Sequence, residues 1–500
     1  LNDASTLDTT ANYSVAIGAG AGNNASNLAG KFVIIGNYAG RKLSGTGVTH
    51  IGYEAGQYAS GSYNTFVGSD AGTGATTSAP YSTGISNTAI GYRALKGHTT
   101  GGSNVAIGQN AFVSLTTANY GVAIGYDAAQ GVTTANGVIA IGTAAARLVT
   151  EGADNIAIGQ NTIRNITTDT STVAIGAGAG YYMENVGATA RYNTYVGTSA
   201  GNKSYKGVSQ TYIGARAGQH ATGSYNTFIG EQAGYGGTTS APFSSGEKNT
   251  AIGYQAFTGF TTGYYNIVIG YQAGDSITTG YSNTIMGYQA ADNLTTGYAN
   301  VAIGQNAFGD AVAGAQNNVA IGFGAGSGQN NAGTQANVWV GSHAGVGGTA
   351  AQSNNVAIGD DAMTATGNLA AIYNVAVGRS AMGGTWTNSA TGNTAVGQEA
   401  MKGAIADAQN NVAVGRESLG TLTTGNENVA AGYKAGFALT TGDYNITIGS
   451  YSGDAMTTTH NTVLIGRHAG SAINHTDADG TVAIGYQSLQ DLTSGQNSVA

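Results

Sequence analysis

Two stretches of the sequence contain residue types whose spacing could do chemistry. The stretch AIGAGAG at 174–180 spaces its glycines like a dinucleotide-binding fingerprint, in which glycines let the backbone approach a pyrophosphate. The stretch HTDADG at 475–480 places Asp477 and Asp479 before a glycine, as a calcium-binding loop does, but it lacks the downstream carboxylate of a full loop. The first stretch is also a plain copy of a repeat that runs through the chain. We therefore expect no cofactor at 174–180, and a polar turn without a metal at 475–480.

The residue types that carry acid–base or nucleophilic chemistry are otherwise scattered. The seven histidines share no fixed place in the repeat and lie near no paired carboxylates, which argues against zinc binding and proton transfer. Serines are plentiful, but no GxSxG nucleophile elbow occurs. A lyase or depolymerase would need carboxylates or histidines collected along one groove, and the sequence shows no such collection. It therefore predicts that the protein is not an enzyme.

The repeat must supply the elements that position any functional group. Its clearest copy is NTAIGYQAF at 249–257, which recurs as NVAIGQNAF at 300–308 and TVAIGYQSL at 481–489. If the central glycine of each copy is position 0, there are 27 copies, most often 17 residues apart and always 16 to 23 apart. Such a short, persistent period is typical of a solenoid, in which each turn rests only on its neighbours. We predict an all-β chain folded as a parallel β-solenoid.

Positions −3 and −1 are aliphatic or β-branched in every copy, apart from methionine and alanine once each at −1. Alternation with period two, closed by a glycine, is typical of a short strand with one face on a core. Position +3 is alanine in most copies, which indicates a small side chain turned into a narrow interior. The predicted structural core therefore holds positions −3, −1 and +3, as in Val105, Ile107, Ala111, Ile252, Ala256, Val301, Ile303 and Ala307.

Position −4 is asparagine in 18 copies. Stacked amides can bond the turns above and below them, so we predict an asparagine ladder. Its clearest members are Asn249, Asn266, Asn283 and Asn300. The alternative is a set of unrelated turn asparagines, because turns favour this residue in any case.

Positions −2 and +4 exchange volume: where one carries a large side chain, the other usually carries a small one. Phe66 at −2 is followed by Gly72 at +4, whereas Ala251 is followed by Phe257. Because water sets no limit on volume, the exchange indicates one close-packed space that both positions share. We predict a seam between identical chains packed in register; the alternative is that both positions meet inside one wider monomeric coil. The predicted inter-chain seam consists of Phe66, Phe112, Tyr195, Tyr212, Phe228, Phe257, Phe308, Trp339, Met363, Met382 and Met401.

The composition restricts the partners. The 500 residues include 83 glycines, 2 prolines and no cysteine, only 8% are charged, and the net charge is −8. So few charges cannot form a basic nucleic-acid surface or a polybasic membrane anchor. No run approaches the 18 or so apolar residues of a membrane span, so we expect no membrane insertion. The absence of cysteine excludes disulfide stapling.

The organisation along the chain is repetitive. Residues 1–14 lead into the first copy, and we expect 15–500 to form one continuous solenoid shaft that is a fragment of a longer chain. A block of nine turns is duplicated at about 36–197 and 198–359, as GSYNTFVG at 61–68 and GSYNTFIG at 223–230 show. Residues 305–415 have longer periods of 18 and 19 residues.

Two surface features could bind ligands. Tyrosine recurs at position +1, and a row of exposed tyrosines could stack on sugars. Threonine-rich loops such as TTGG at 99–102 could order water on a flat face and so bind ice. Their uneven lengths argue against this interpretation. The alternative is that these tyrosines are only amphipathic surface residues of the coil.

The repeated VAIG, with asparagine before it and a small residue three positions after the glycine, resembles the head repeats of YadA-like trimeric autotransporter adhesins. The longer unit NTAIGYQAF with LTTG loops is even more similar to the repeats of phage tail fibres and related bacterial tail-fibre-like proteins. The resemblance covers residues 15–500. It implies a left-handed parallel β-roll assembled as a trimer, which serves in attachment to a cell or a surface. The repeat here is longer than that of the adhesin heads.

From these observations we expect an extracellular, non-enzymatic fibre or adhesin shaft, on a virion tail or a bacterial cell surface. Its expected partners are two further copies of itself and a glycan or protein receptor on a host cell or surface. The alternative is a self-assembling structural filament or extracellular matrix component.

Overall fold

The computed structural model describes residues 13–23, 31–75, 81–183, 191–237, 243–310, 314–364 and 366–500. The chain divides into two compact units, 1–248 and 249–500. Each unit is a parallel β-solenoid, and the described residues make about 26 turns with repeats of about 17 residues. The predicted all-β, parallel β-solenoid fold is therefore confirmed.

The main sheet of the first unit has thirteen short strands among its described residues, and each pairs in parallel with the next. These are β1 (Val15–Ile17), β2 (Phe32–Ile35), β3 (Val48–Ile51), β4 (Thr65–Val67), β5 (Thr88–Ile90), β6 (Val105–Ile107), β7 (Val122–Ile124), β8 (Ile139–Ile141), β9 (Ile156–Ile158), β10 (Val173–Ile175), β11 (Thr194–Val196), β12 (Thr211–Ile213) and β13 (Thr227–Ile229).

The second unit repeats this arrangement and adds a separate three-stranded sheet of β20 (Gln352–Ser353), β22 (Ala371–Ile372) and β24 (Ala390–Thr391). Its described residues include one short 3₁₀ turn, Thr476–Ala478. Its strands are β14 (Thr250–Ile252), β15 (Ile267–Ile269), β16 (Thr284–Met286), β17 (Val301–Ile303), β18 (Val319–Ile321), β19 (Val338–Val340), β20 (Gln352–Ser353), β21 (Val356–Ile358), β22 (Ala371–Ile372), β23 (Val375–Val377), β24 (Ala390–Thr391), β25 (Thr394–Val396), β26 (Val412–Val414), β27 (Val429–Ala431), β28 (Ile446–Ile448), β29 (Val463–Ile465) and β30 (Val482–Ile484).

The glycine at position 0 ends each strand for two reasons. Gly253 has a φ of +129°, a conformation that side chains rarely adopt. A Cβ added at Gly253 would also collide with the backbone carbonyl of Gly270, the equivalent glycine of the next turn. The chain therefore turns its corner at the same place in every repeat, which keeps the strands in register.

The strands present the opposite face to the core from the one predicted. Position −2 is buried in most of the main-sheet strands, whereas positions −3 and −1 are half-buried or exposed. The predictions for Val105, Ile107, Ile252, Val301 and Ile303 are wrong, because the side chains of these residues lie on the outer face of the sheet. The predictions for Ala111, Ala256 and Ala307 at position +3 are confirmed, since all three are fully buried.

The predicted inter-chain seam is also wrong. All eleven of its residues are buried inside a single chain, with Phe66, Phe112 and Trp339 exposing at most 1% of their surface. The exchange of volume has a direct steric cause within one turn: a Cβ added at Gly72 would lie 2.5 Å from the ring of Phe66. Positions −2 and +4 thus share one dry interior, which is the wider monomeric coil that the sequence left as the alternative.

A fourth core position escaped the sequence analysis. The residue at position +7, just before the threonines of the LTTG-type loops, is buried in many turns, as Leu115, Phe260 and Leu422 show. Phe260 stacks on Phe257 with ring centroids 4.9 Å apart. The recurring apolar residue before TTG was the signal that could have revealed this position.

Candidate binding surfaces

The asparagine ladder runs through the interior of the second unit. The side-chain oxygen of Asn249 accepts the backbone N–H of Asn266 at 3.0 Å and its side-chain amide at 3.1 Å. The same pair of bonds joins Asn266 to Asn283 and Asn283 to Asn300. The predicted ladder is therefore present. Because its members are buried, its role is structural and not ligand binding.

The outer face of each main sheet carries two columns of uncharged, mostly aliphatic side chains. Strands pair in register, so Val301 lies beside Val319 and Ile303 beside Ile321. In every turn the two outer positions are valine, isoleucine, threonine, methionine or alanine, and none is charged. Several side chains expose more than a third of their surface, for example 44% for Ile267. These outer columns form a continuous, uncharged surface along each unit.

Two columns of tyrosines stack in the most regular turns. Tyr254 and Tyr271 stack with ring centroids 5.1 Å apart, and Tyr271 stacks on Tyr288 at 5.2 Å. A second column in the loops joins Tyr264, Tyr281 and Tyr298 at 4.9 Å and 4.8 Å. The ring faces within a column cover one another, so only ring edges and hydroxyl groups are available. This geometry therefore does not allow sugars to stack on the ring faces all along a tyrosine column.

A polar cavity of about 260 Å³ opens on the second unit beside the tyrosine column at position +1. Its lining includes Asp292 and Asp310. It also includes Phe323 and His343, whose rings meet edge to face with centroids 5.0 Å apart. The remaining lining residues are Gln289, Asn306, Gly309, Gly324 and Ser327. No sequence motif marked this site, because its members come from four different turns.

The carboxylates at and near this cavity have no lysine or arginine partner in the part of the chain that the structure describes. Burial raises the pKa of Asp292 to about 6, and the negative charges of Asp275 and Asp310 act in the same direction. Burial also raises the pKa of Asp275. Among the described residues, no lysine or arginine lies within ion-pair distance of these three aspartates. The site therefore has an excess of negative charge in a partly desolvated place.

Two histidines of the first unit lie in its apolar interior. His50 occupies position −2 and stacks on Phe66 with centroids 4.9 Å apart, while His98 meets the same ring edge to face at 5.4 Å. Burial lowers the pKa of His50 to about 3, and the proximity of His98 lowers it too. Burial lowers the pKa of His98 to about 4, although its hydrogen bond to the carbonyl of Leu95 opposes the shift. Both are neutral packing residues at neutral pH.

The two motifs that imitate ligand sites are parts of ordinary turns. In 174–180, Ala174 and Ile175 belong to β10, and the glycines follow at the corner. In 475–480, His475 caps a single 3₁₀ turn by accepting the backbone N–H of Asp477, whose carboxylate is exposed. No group of three or more His, Cys, Asp or Glu side chains in the described part of the chain is placed to hold a metal ion.

The fold and its surfaces define a parallel β-solenoid repeat protein. No protein-family model matches the chain, and no curated protein matches it either. Within the described ranges there is no helix of the length and apolarity that crossing a membrane requires.

Proposed function

We propose that the protein is a non-enzymatic, extracellular fibre shaft in which three copies pack side by side through their outer columns. The observation that carries the proposal is the uncharged, half-exposed pair of columns at positions −3 and −1, which continues along every strand of each main sheet. Monomeric proteins rarely expose contiguous apolar surfaces larger than a few hundred Å². A surface of this kind is better explained by a partner that covers it.

A second copy of the same chain is the occupant that fits this surface best. Successive strands are spaced by roughly 4.8 Å, so the apolar side chains recur with that period along each unit. Another copy packed in register has the same period and can place one apolar side chain against another at every level. An unrelated globular partner would match the period only locally. The number three comes from the resemblance to trimeric adhesin heads and tail-fibre repeats.

The role in attachment follows from the same features. A stack of identical turns is a stiff spacer, and several chains side by side present each surface loop in several copies, so weak contacts with a cell or surface can add up. The described residues offer no collected catalytic constellation that would favour an enzyme instead. We place the protein outside the cell, on a virion tail or a bacterial surface, as the resemblance implies.

Mass measurement on the soluble chain tests the proposal. We expect a particle of three chains, about three times 49.7 kDa, that persists on dilution. A monomer that stays folded in dilute solution would contradict the proposal. Open-ended growth into filaments or sheets would favour the structural-filament alternative.

A further inference from the structure

The cavity beside Asp292 exists because two glycines interrupt two columns of side chains. At position +2, Gln255, Gln272 and Gln289 form a chain in which each amide donates to the previous side-chain oxygen, at 3.0 and 3.1 Å. Asn306 continues this column, and Gly324 then leaves a gap before His343. At position +5, Asp275 and Asp292 are followed by Gly309, whose Cβ would lie 3.5 Å from a carboxylate oxygen of Asp292.

The backbone does not demand a glycine at position 324. Its φ of +60° is close to the +53° of Asn306 and the +51° of His343, which occupy the same position in the adjacent turns with full side chains. A Cβ at Gly324 would meet Cδ2 of His343 at 3.0 Å, and His343 is a half-exposed side chain that can move aside. What the glycine provides here is space.

Acidic, amide and aromatic side chains line that space. Its lining combines two aspartates, Asp292 and Asp310, with the rings of Phe323 and His343. Gln289 and Asn306 add amide groups. The carboxyl of Asp310 accepts one backbone N–H, from Gly328 at 3.2 Å. Carboxylates and aromatic rings that line one cavity can attract an organic cation, through charge, hydrogen bonds and the negative ring faces.

We propose that this cavity binds the protonated primary amino group of a small polar ligand, namely an amino sugar or a short aliphatic amine. Burial and the negative charges of Asp275 and Asp310 raise the pKa of Asp292. A positive charge beside the carboxylates would relieve that repulsion. The volume of about 260 Å³ lies just below the usual range of ligand pockets, so it suits one sugar ring or one short chain. None of the lining residues belongs to the outer columns, so the site is independent of the proposed assembly.

Calorimetric titration of the full chain at about pH 7.5 tests this assignment, with glucosamine, putrescine and glucose as probes. We expect binding of at least one amine and binding of glucose that is weaker by roughly tenfold or more, the loss that one charged hydrogen bond brings. Tighter binding of glucosamine than of putrescine identifies an amino sugar as the ligand class, and the reverse order identifies an aliphatic amine. Glucose that binds as tightly as the tighter of the two amines, or no binding of either amine, would overturn the proposal.

Two variants and a matched control separate this site from binding elsewhere. Asp292→Asn removes one charge with little change in shape and should weaken amine binding by about tenfold or more. Gly324→Gln extends the glutamine column into the cavity and should abolish binding without unfolding the chain. Gly178→Gln makes the same change at position +2 of another turn, where the added Cβ has only ordinary contacts, and should leave binding unchanged. Binding that survives both Asp292→Asn and Gly324→Gln would refute the site.

Discussion

The side-chain oxygen of Asn266 accepts two hydrogen bonds from Asn283, one from its backbone N–H at 3.1 Å and one from its side-chain amide at 3.0 Å. The same amide of Asn283 also donates to the carbonyl of Gly297 at 2.8 Å, in the following turn. Each asparagine thus joins the turn before it to the turn after it through buried polar atoms. In the second unit the ladder ends where Thr462 replaces asparagine and still donates to Asn445 through its backbone N–H and its hydroxyl.

We predict that Asn283→Ala lowers the free energy of unfolding by on the order of 3 kcal/mol. The substitution leaves the carbonyl of Gly297 and the two donors of Asn300 without their partner, and each buried unpaired group costs about 1–3 kcal/mol. Denaturant unfolding measures the change. The control is Asn331→Ala, which removes two hydrogen bonds at the surface, one to the carbonyl of Thr349 and one from the backbone N–H of Gly333. It should cost well under 1 kcal/mol. Equal losses in the two variants would mean that the ladder does not stabilise the interior.

A second prediction concerns the shared space of positions −2 and +4. Ala251→Phe with Phe257 kept adds a ring to an interior that Phe257 and Phe260 already fill, and should cost about 1–3 kcal/mol or more. Adding Phe257→Gly recreates the pairing of Phe66 with Gly72 and should recover much of that loss. Because both residues are buried inside one chain, the coupling between them should not change with protein concentration. A coupling that vanishes on dilution would place the contact between chains instead.

The sequence predicted the repeat, the parallel strands, the ladder and the exchange of volume, because each of these is a periodic pattern. It could not tell which face of the strand is inside. The main-sheet strands are only three or four residues long, and alternation with period two looks the same from both faces. Val105 and Ile107 are predicted to lie inside because aliphatic residues with period two, closed by a glycine, are typical of the core face of a strand.

The structure shows why that choice failed. Ala106 is small because Phe112, at position +4 of the same turn, fills the interior beside it. Valine and isoleucine at −3 and −1 suit the outer face because β-branched residues favour strands in any environment. The cavity beside Asp292 was beyond sequence reasoning for another reason: its residues are neighbours only once the turns are stacked.

Acid should destabilise the first unit through its two buried histidines. The folded-state pKa values of His50 and His98, about 3 and about 4, lie below the unfolded value of 6.5. The unfolded chain therefore binds more protons between these values, so the stabilisation is complete above about pH 6.5 and is lost as pH falls toward 4. Each histidine should contribute a slope of up to about 1.4 kcal/mol per pH unit. Denaturant unfolding at several pH values measures it.

His50→Phe should reduce that slope by about half. Position −2 accepts phenylalanine where position +4 is glycine, as in Phe66 with Gly72, and Gly56 supplies the glycine here. The exposed His475→Gln is the control and should leave the acid slope of the first unit unchanged. A His50→Phe chain with the full acid slope would show that other groups cause the loss of stability.

The outer columns can be tested by placing charges on them. Ile269→Glu, Ile303→Glu and Val340→Glu fall on alternate strands, so the new charges are not adjacent, and all three side chains are half-buried on the outer face. We expect each to cost the isolated chain about 1 kcal/mol or less, because the carboxylate can reach water. In the assembly the new carboxylates would be buried against apolar side chains and would have no positively charged partner. Association should therefore weaken by tenfold or more.

The control places three charges on the threonine loops, as Thr262→Glu, Thr279→Glu and Thr296→Glu. All three threonines are exposed in the chain. Sedimentation measures the association of both sets of variants. If the outer-column variant forms the same particle as the loop variant, the chains do not meet through this face.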